Sequence, residues 1–393
     1  MSRKRLAAPA IVTAKNSMKI GIPKEVVPDE RRVALTPDAV TRLVKTGNEV
    51  LVEAGAGDKA FLADGDYQSA GAKIVSPAAV FGESDLVVKF HKPLDNPRLG
   101  KHEVDALREG AALIAFLYPA TDPELVKRLV ARRITAFSMD LIPRITRAQS
   151  MDALSSQANV AGYKAVLVAA EVMPKFLPMM TTAAGTIRPA KVLVRGAGVA
   201  GLQAIATARR LGAVVWGYDV RPIVKEQVES LGAKFLEFDL GVKDAQDTGG
   251  YAKELSEEAK RKQQLMLSEK TKEFDVVITT ALIPGKPAPR LITKETVAGM
   301  KPGSVIVDLA AETGGNCELT EPDKEVVKNG VTIIGPTNLP SPVPVHASQL
   351  YARNVVELIK LIVKDGKLNL DFNDDIIKGA CVTHDGQDCR VTQ

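Results

Sequence analysis

The sequence predicts an α/β protein of two Rossmann-like, doubly wound parallel-sheet domains. Three observations carry this expectation. At 393 residues the chain exceeds one ordinary core and suits two domains of α/β size. From Met18 onward, short apolar strands alternate with helical runs, the rhythm of a parallel sheet covered on both faces. Near mid-chain, Gly196-Ala197-Gly198-Val199-Ala200-Gly201 follows a strand and opens a helix, as a dinucleotide-binding turn does.

The elements follow in order. Residues 1–17, MSRKRLAAPAIVTAKNS, are basic and alanine-rich without a secretory apolar core, and read as a disordered or optional leader. KIGI then opens the first sheet, followed by a helix with Thr36 as its cap and Pro37 at its first position. EVLVEAGAG, KIV, DLVVKF, ALIAFLY and ITAFSMDLI supply further strands, separated by helix-like stretches such as DPELVKRLVARR. This first run ends near Leu141, and a long helical stretch from about Met151 to Met173 leads out of it. KVLV opens the second run, which continues through VVWGYDV, DVVITTA, SVIVDLA and VTIIG. Asp239 to Lys272 interrupts the rhythm: it is polar, carries Gly249-Gly250-Tyr251, and is too long for an ordinary connection. A disordered bulge and a functional lid both fit it. After Gly335, the proline-rich TNLPSPVPV precedes an amphipathic helix, Ser348 to Lys364, whose apolar face (Leu350, Val355, Leu358, Ile359, Ile362) suits a core.

Composition removes several function classes. An apolar content of 45% with 25% charged residues is that of a soluble globular protein. The net charge of +5 is spread along the chain, so nucleic-acid binding has no support. No run approaches the ~18 apolar residues that span a bilayer. Cys317, Cys381 and Cys389 show no CxxC spacing and the four histidines complete no metal set, so free thiols in a reducing compartment are expected, and no metal.

Within the glycine-rich turn, Gly196 permits the tight turn, Gly198 lets the backbone approach a pyrophosphate, and Gly201 lets helix and strand pack closely. The helix opening at Val199 then points unpaired N–H groups at the phosphates. Asp219 ends the next strand, eighteen residues after Gly201. A carboxylate there accepts both hydroxyls of the adenosine ribose and repels a 2′-phosphate, favouring NAD(H) over NADP(H). Arg221 is the contrary feature, since an Arg after the acidic residue can accept a phosphate; Asp219 is expected to dominate.

Upstream stands a fourteen-residue segment, Arg144 to Gln157, RITRAQSMDALSSQ, dense in hydrogen-bonding side chains. Buried polar groups need partners, so these residues either satisfy one another or are displayed to a ligand. With AGTIRPAKVLVRGAGVAGLQAIATARRLGA behind it, the segment resembles the NAD(H)-binding component of proton-translocating nicotinamide nucleotide transhydrogenase. PKEVVPDERRVALTP, VEAGAG, DLVVKF and IPGKPAPRLI also resemble alanine dehydrogenase, so the likeness covers nearly the whole chain from Met18. In both families the late helix returns to the first domain. The resemblance therefore implies that the first domain is discontinuous, 18–143 plus 345–393, beside an NAD(H)-binding domain of 160–340, with a mobile loop over about 239–272.

Chemistry separates the two families. An amino-acid dehydrogenase moves protons with its hydride and needs an acid–base group beside cations for the carboxylate. Matched to the dehydrogenase pattern, the Arg is Arg32 and the Lys is Lys89, but the His position holds Tyr118 and the Asp position Glu312. Tyr, with an ordinary pKa of about 10, is a poor replacement. A transhydrogenase transfers hydride directly between two nicotinamides, so neither carbon needs a proton from the protein. It needs two rings held about 3–3.5 Å apart.

Carried over residue by residue, the transhydrogenase resemblance implies that Arg144 holds the nicotinamide carboxamide or nearby ribose. Gln149 reaches the partner's nucleotide, and Asp152, with Ser155 beside it, bridges to the NAD nicotinamide end. An internal Arg144–Asp152 salt bridge is the competing use of that pair. Tyr251 matches the Tyr of the family's mobile loop, or is an exposed loop-tip aromatic. Arg32 and Lys89 are inherited structural residues, and Glu312 and Asn316 lie near the nicotinamide.

The resemblance implies an enzyme subunit: a homodimer binding NAD(H), exchanging hydride with NADP(H) on a beta subunit, and coupled to protons through a membrane-spanning alpha-2 subunit. It implies a place in the cytoplasm, peripheral on the bacterial inner membrane. The alternatives are a soluble alanine dehydrogenase-like oxidoreductase and a nucleotide-binding sensor without catalysis.

Overall fold

The computed structural model describes residues 17–238, 257–283 and 286–390. The chain divides into two compact units, Met1–Ser156 with Pro344–Gln393, and Gln157–Val343.

The first unit is built on an eight-stranded sheet. Its order is Gln387–Asp388, Cys381–His384, Thr135–Ser138, Ala112–Phe116, Leu86–His91, Lys19–Ile22, Glu49–Glu53, Lys73–Val75. The last six are parallel; the C-terminal pair joins the edge antiparallel. Successive residues of a strand face opposite sides, so Ile20, Val50, Val52 and Val88 enter one core while Leu51, Val87 and Leu113 enter the other. Both faces are covered, as the near-continuous Val/Ile/Leu runs require.

Thr36 has the extended backbone of a cap to helix Pro37–Lys45, but its side chain makes no capping bond; Pro37 supplies the preset first turn. The late helix runs Pro344–Ile362, starting earlier than Ser348 because proline is tolerated in a first turn. Val355, Leu358, Ile359 and Ile362 are buried as expected, whereas Leu350 is only half-buried and Tyr351 takes the inner position.

The polar segment from Arg144 falls within the first unit as far as Ser156. Its 3-10 turn Thr146–Met151 buries Ala148 and Met151 in the same core as Tyr351, and Asn354 donates to the Ser150 carbonyl at 2.8 Å. Helix Ala153–Val172 follows.

In the second unit a seven-stranded sheet runs Lys234–Phe235, Val214–Tyr218, Lys191–Arg195, Val276–Thr279, Val305–Asp308, Val331–Ile334, Glu325–Lys328. All are parallel except the last. Glu325–Lys328 is an edge strand flanked by charge, a composition that protects an open edge and hides it from a hydropathy reading. The expected interruption at 239–272 is helical toward its end: Glu257–Thr271 buries Leu267, and Gln264 donates to the Leu291 carbonyl at 2.9 Å. Residues 239–256 lie outside the described residues. An antiparallel hairpin, Met180–Thr182 with Gly185–Ile187, stands exposed along both strands. Among the described residues no helix is long and apolar enough to cross a membrane.

Candidate functional site

In the second sheet the strand order reverses at Lys191–Arg195, which pairs with Val214–Tyr218 on one side and Val276–Thr279 on the other. The carboxyl ends of strands at such a reversal form the usual ligand crevice of open α/β sheets. Gly196 occupies this place with φ 105°, and a Cβ there would stand 2.5 Å from Thr280 Oγ1. That hydroxyl donates to the Gly196 carbonyl at 3.0 Å, pinning the turn to the neighbouring strand end. A Cβ on Gly201 would lie 1.8 Å from the same carbonyl oxygen, so helix Val199–Arg210 packs this close only because the residue is glycine. Gly198, the cap of that helix, is different: nothing lies within 4 Å of where its Cβ would be. Its outer side is open, and the N–H groups of the first turn beginning at Val199 have no intrahelical partners. With no acidic side chain in that turn, the arrangement can receive an anion.

Asp219 reaches back under the turn: its Oδ2 accepts the Ala197 N–H at 2.8 Å, and its Oδ1 accepts the Arg221 N–H at 2.9 Å. The Arg221 guanidinium grips both carboxylate oxygens, Nε on Oδ1 and Nη2 on Oδ2, each at 3.0 Å. Burial opposes the charge on Asp219, but the Arg221 bonds and the Ala197 amide outweigh it and hold the carboxyl below its ordinary value.

The loops after the next two strands are locked together. Asn316 is buried; its amide donates to the Ala281 and Pro289 carbonyls and its oxygen accepts the Ala281 N–H. Asp308, also buried, accepts from Thr279, Ala310, Cys317 and Thr320. Asn316 is thus spent on shaping the loop, while Glu312 remains exposed. Thr280 and Gly162 also shape the site, although neither lies in the glycine-rich motif. A Cβ on Gly162 would meet the Ala200 carbonyl at 2.1 Å, so this glycine inside helix Ala153–Val172 sets how closely it lies on the helix after the turn. An isolated glycine in a helical run was the available signal.

In the first unit, Arg144 and Gln149 are exposed, and neither side chain has a hydrogen-bond partner among the described residues. Arg147, between them, is bound to Asp374 at 2.6 and 2.9 Å. Asp152 accepts the Ser155 N–H at 2.8 Å and the Ser155 hydroxyl at 2.6 Å, the role of a cap on the helix that follows. The competing Arg144–Asp152 bridge is not formed. Tyr251 lies outside the described residues.

The first sheet also reverses its order, at Lys19–Ile22, between Glu49–Glu53 and Leu86–His91. There the polar groups are paired, and all but His91 are buried at their side chains. Arg32 forks onto Glu30 at 2.7 and 2.6 Å while its guanidinium lies 3.8 Å over the Phe90 ring. His91 Nε2 is 2.6 Å from the same carboxylate. Lys89, fully buried, sits 3.2 Å from Glu25 and 3.0 Å from Glu103. Burial works to lower the Lys89 pKa, but the two carboxylates prevail and keep the ammonium above its ordinary value. Tyr118, at φ 47° in the left-handed region, is 46% exposed and stacks on Phe116. No cluster of three potential metal ligands occurs among the described residues.

Two family models match the chain: alanine dehydrogenase/PNT, N-terminal domain, over residues 21–161, and alanine dehydrogenase/PNT, C-terminal domain, over residues 165–390. The NAD(P) transhydrogenase subunit alpha of Haemophilus influenzae is 50% identical over 380 residues, covering 96% of this chain and 72% of that protein. Its shorter counterpart in Rhodospirillum rubrum is 53% identical over 373 residues, covering 94% of this chain and 97% of that one. The chain belongs to the NAD(P) transhydrogenase alpha-subunit family. Among solved structures, the family's transhydrogenase from Sinorhizobium meliloti superposes with a TM-score of 0.84 at 45% identity, covering 94% of this chain and 99% of that one. An L-alanine dehydrogenase superposes at 0.77 with 28% identity, over 94% and 96% of the two chains. The shared fold therefore spans both branches of the family, and side chains have to distinguish them.

Proposed function

We propose that this chain binds NAD(H) and exchanges hydride directly with NADP(H) carried by a beta subunit, in a complex that couples the transfer to proton movement through a membrane-spanning alpha-2 subunit. In the forward sense NADH and NADP⁺ become NAD⁺ and NADPH, with hydride passing from one nicotinamide C4 to the other. The observation that carries the proposal is the contrast between two sets of polar side chains on the first unit. Arg32 and Lys89, the cations an amino-acid dehydrogenase would turn to a substrate carboxylate, are buried and already answered by Glu30, Glu25 and Glu103. Arg144 and Gln149 are exposed and unengaged among the described residues. A reaction that needs rings aligned rather than protons delivered uses the second kind of group.

In this proposal the amides behind Gly198 and Val199 hold the pyrophosphate, with Gly196 and Gly201 shaping the turn. Asp219 takes the adenosine ribose, and Tyr251 closes over the nucleotide. Arg144 holds the nicotinamide end, Asp152 and Ser155 support it, and Gln149 meets the partner's nucleotide. The chain works as a homodimer at the cytoplasmic face of a bacterial inner membrane. The exposed hairpin, with Met180 and Ile187 40% and 50% accessible, is a surface suited to a second copy.

Mixing the purified chain with the NADP(H)-binding domain of a related transhydrogenase tests the proposal. NADH should reduce an NADP⁺ analogue, and NADH with pyruvate and ammonia should show no turnover. Steady oxidation of NADH by pyruvate and ammonia would make the chain a dehydrogenase. NADH binding without transfer to the partner would make it a sensor.

A further inference from the structure

Asp219 is fully engaged before any nucleotide arrives. A carboxylate offers about four acceptor directions. Two are held by main-chain donors, the N–H groups of Ala197 and Arg221 at 2.8 and 2.9 Å. The other two are held by one side chain, with Arg221 Nε and Nη2 each at 3.0 Å. The main-chain donors are set by the glycine-rich turn and the strand end, so they aim the carboxylate permanently. The guanidinium is on a different footing. It belongs to a side chain that is 57% exposed, and it can swing away without disturbing the core.

We infer that Arg221 is an internal competitor of the ribose: its guanidinium occupies the two acceptor positions that the 2′- and 3′-hydroxyls of a dinucleotide require, and binding exchanges one for the other. The inference rests on the NAD(H) reading above. The count matches, because two N–H donors leave and two O–H donors arrive while both main-chain bonds persist. Two consequences follow from the chemistry. Each binding event breaks a bidentate ion pair, so Arg221 lowers the affinity for NADH and favours release. The displaced cation also remains beside the ribose, where it softens the repulsion between Asp219 and a 2′-phosphate. Arg221 therefore narrows the discrimination between NADH and NADPH as well.

Calorimetric titration of the purified 393-residue chain with NADH and with NADPH tests this. Arg221→Ala should lower the NADH dissociation constant by about two- to fivefold, the contribution of an ion pair whose cation is exposed. The ratio of NADPH to NADH dissociation constants should widen in the same variant. Arg221→Lys, a point charge without the fork, should fall between wild type and Arg221→Ala. Unchanged or weaker NADH binding by Arg221→Ala would overturn the inference while leaving the NAD(H) reading intact. Failure of the wild-type chain to bind NADH at all would overturn both.

Discussion

Each of the two parallel sheets reverses its strand order once, and the two reversal points are finished in opposite ways. Around Lys19–Ile22 and Leu86–His91 the space is closed by buried charge: Glu25, Lys89 and Glu103 form one cluster, and Glu30 with Arg32 another, with the partly exposed His91 beside it. At Lys191–Arg195 two glycines, Gly196 and Gly201, let helix and strand ends approach closely, and the Gly198 side stays open. Topology supplies a crevice in both places; the side chains decide whether it is available. A buried cation whose charge is already matched has little left for a substrate, and freeing it would leave its partner carboxylate unpaired at a cost of several kcal/mol.

The largest expected effect tests the closed end of this contrast. Lys89→Met should leave two buried carboxylates uncompensated and cost about 3–5 kcal/mol in urea unfolding, with NADH affinity unaltered in the folded fraction. A loss below about 1 kcal/mol would mean that the cluster is hydrated and open. At the open end, Asp219→Ala should weaken NADH binding by about ten- to hundredfold, since hydrogen bonds to a charged acceptor are removed; calorimetry reads this directly, and unaltered affinity takes Asp219 out of the site.

The third prediction concerns acid. Burial raises the Glu30 carboxyl, but the hydrogen bonds from Arg32 and His91 exceed that effect and hold it well below the ordinary carboxylate range. Its contribution is therefore complete above about pH 5 and lost as pH falls toward and past the depressed value, by up to about 1.4 kcal/mol per pH unit. Unfolding free energies measured between about pH 5 and pH 3 should decline more steeply for wild type than for Glu30→Gln. Equal slopes would show that Glu30 titrates normally and the pair is exposed. The smallest effect is kinetic. Gln149→Ala should slow hydride transfer to the partner's nucleotide by about tenfold, as a lost positioning contact does, while NADH affinity stays within about twofold. Equal losses in both would move Gln149 into the NAD(H) pocket.

Much of the fold was legible because its signals are local. Runs such as KVLV and SVIV read as buried parallel strands, and Gly196, Gly198 and Gly201 mark a turn by spacing alone. Edge strand Glu325–Lys328 escaped notice because its charges suppress the apolar pattern. The candidate site was legible as residue types in a segment, and less so as states of those residues. RITRAQSMDALSSQ announced a polar surface. That Arg147 is tied to Asp374, 227 positions away, while Arg144 is not, depends on where the C-terminal stretch returns. Similarly, Lys89 meets Glu25 across 64 positions. Arg221 stands two residues from Asp219, and its engagement of both oxygens still depends on the strand-end geometry.

By itself, then, the sequence determined the α/β class, the glycine turn with its acidic residue, and the family to which the side chains had to be compared, because periodicity and short spacings are properties of the chain. Only the tertiary structure decided which charged groups are spent and which are free. Pairing is a matter of distance between side chains far apart in the chain, and burial sets how much each pairing is worth.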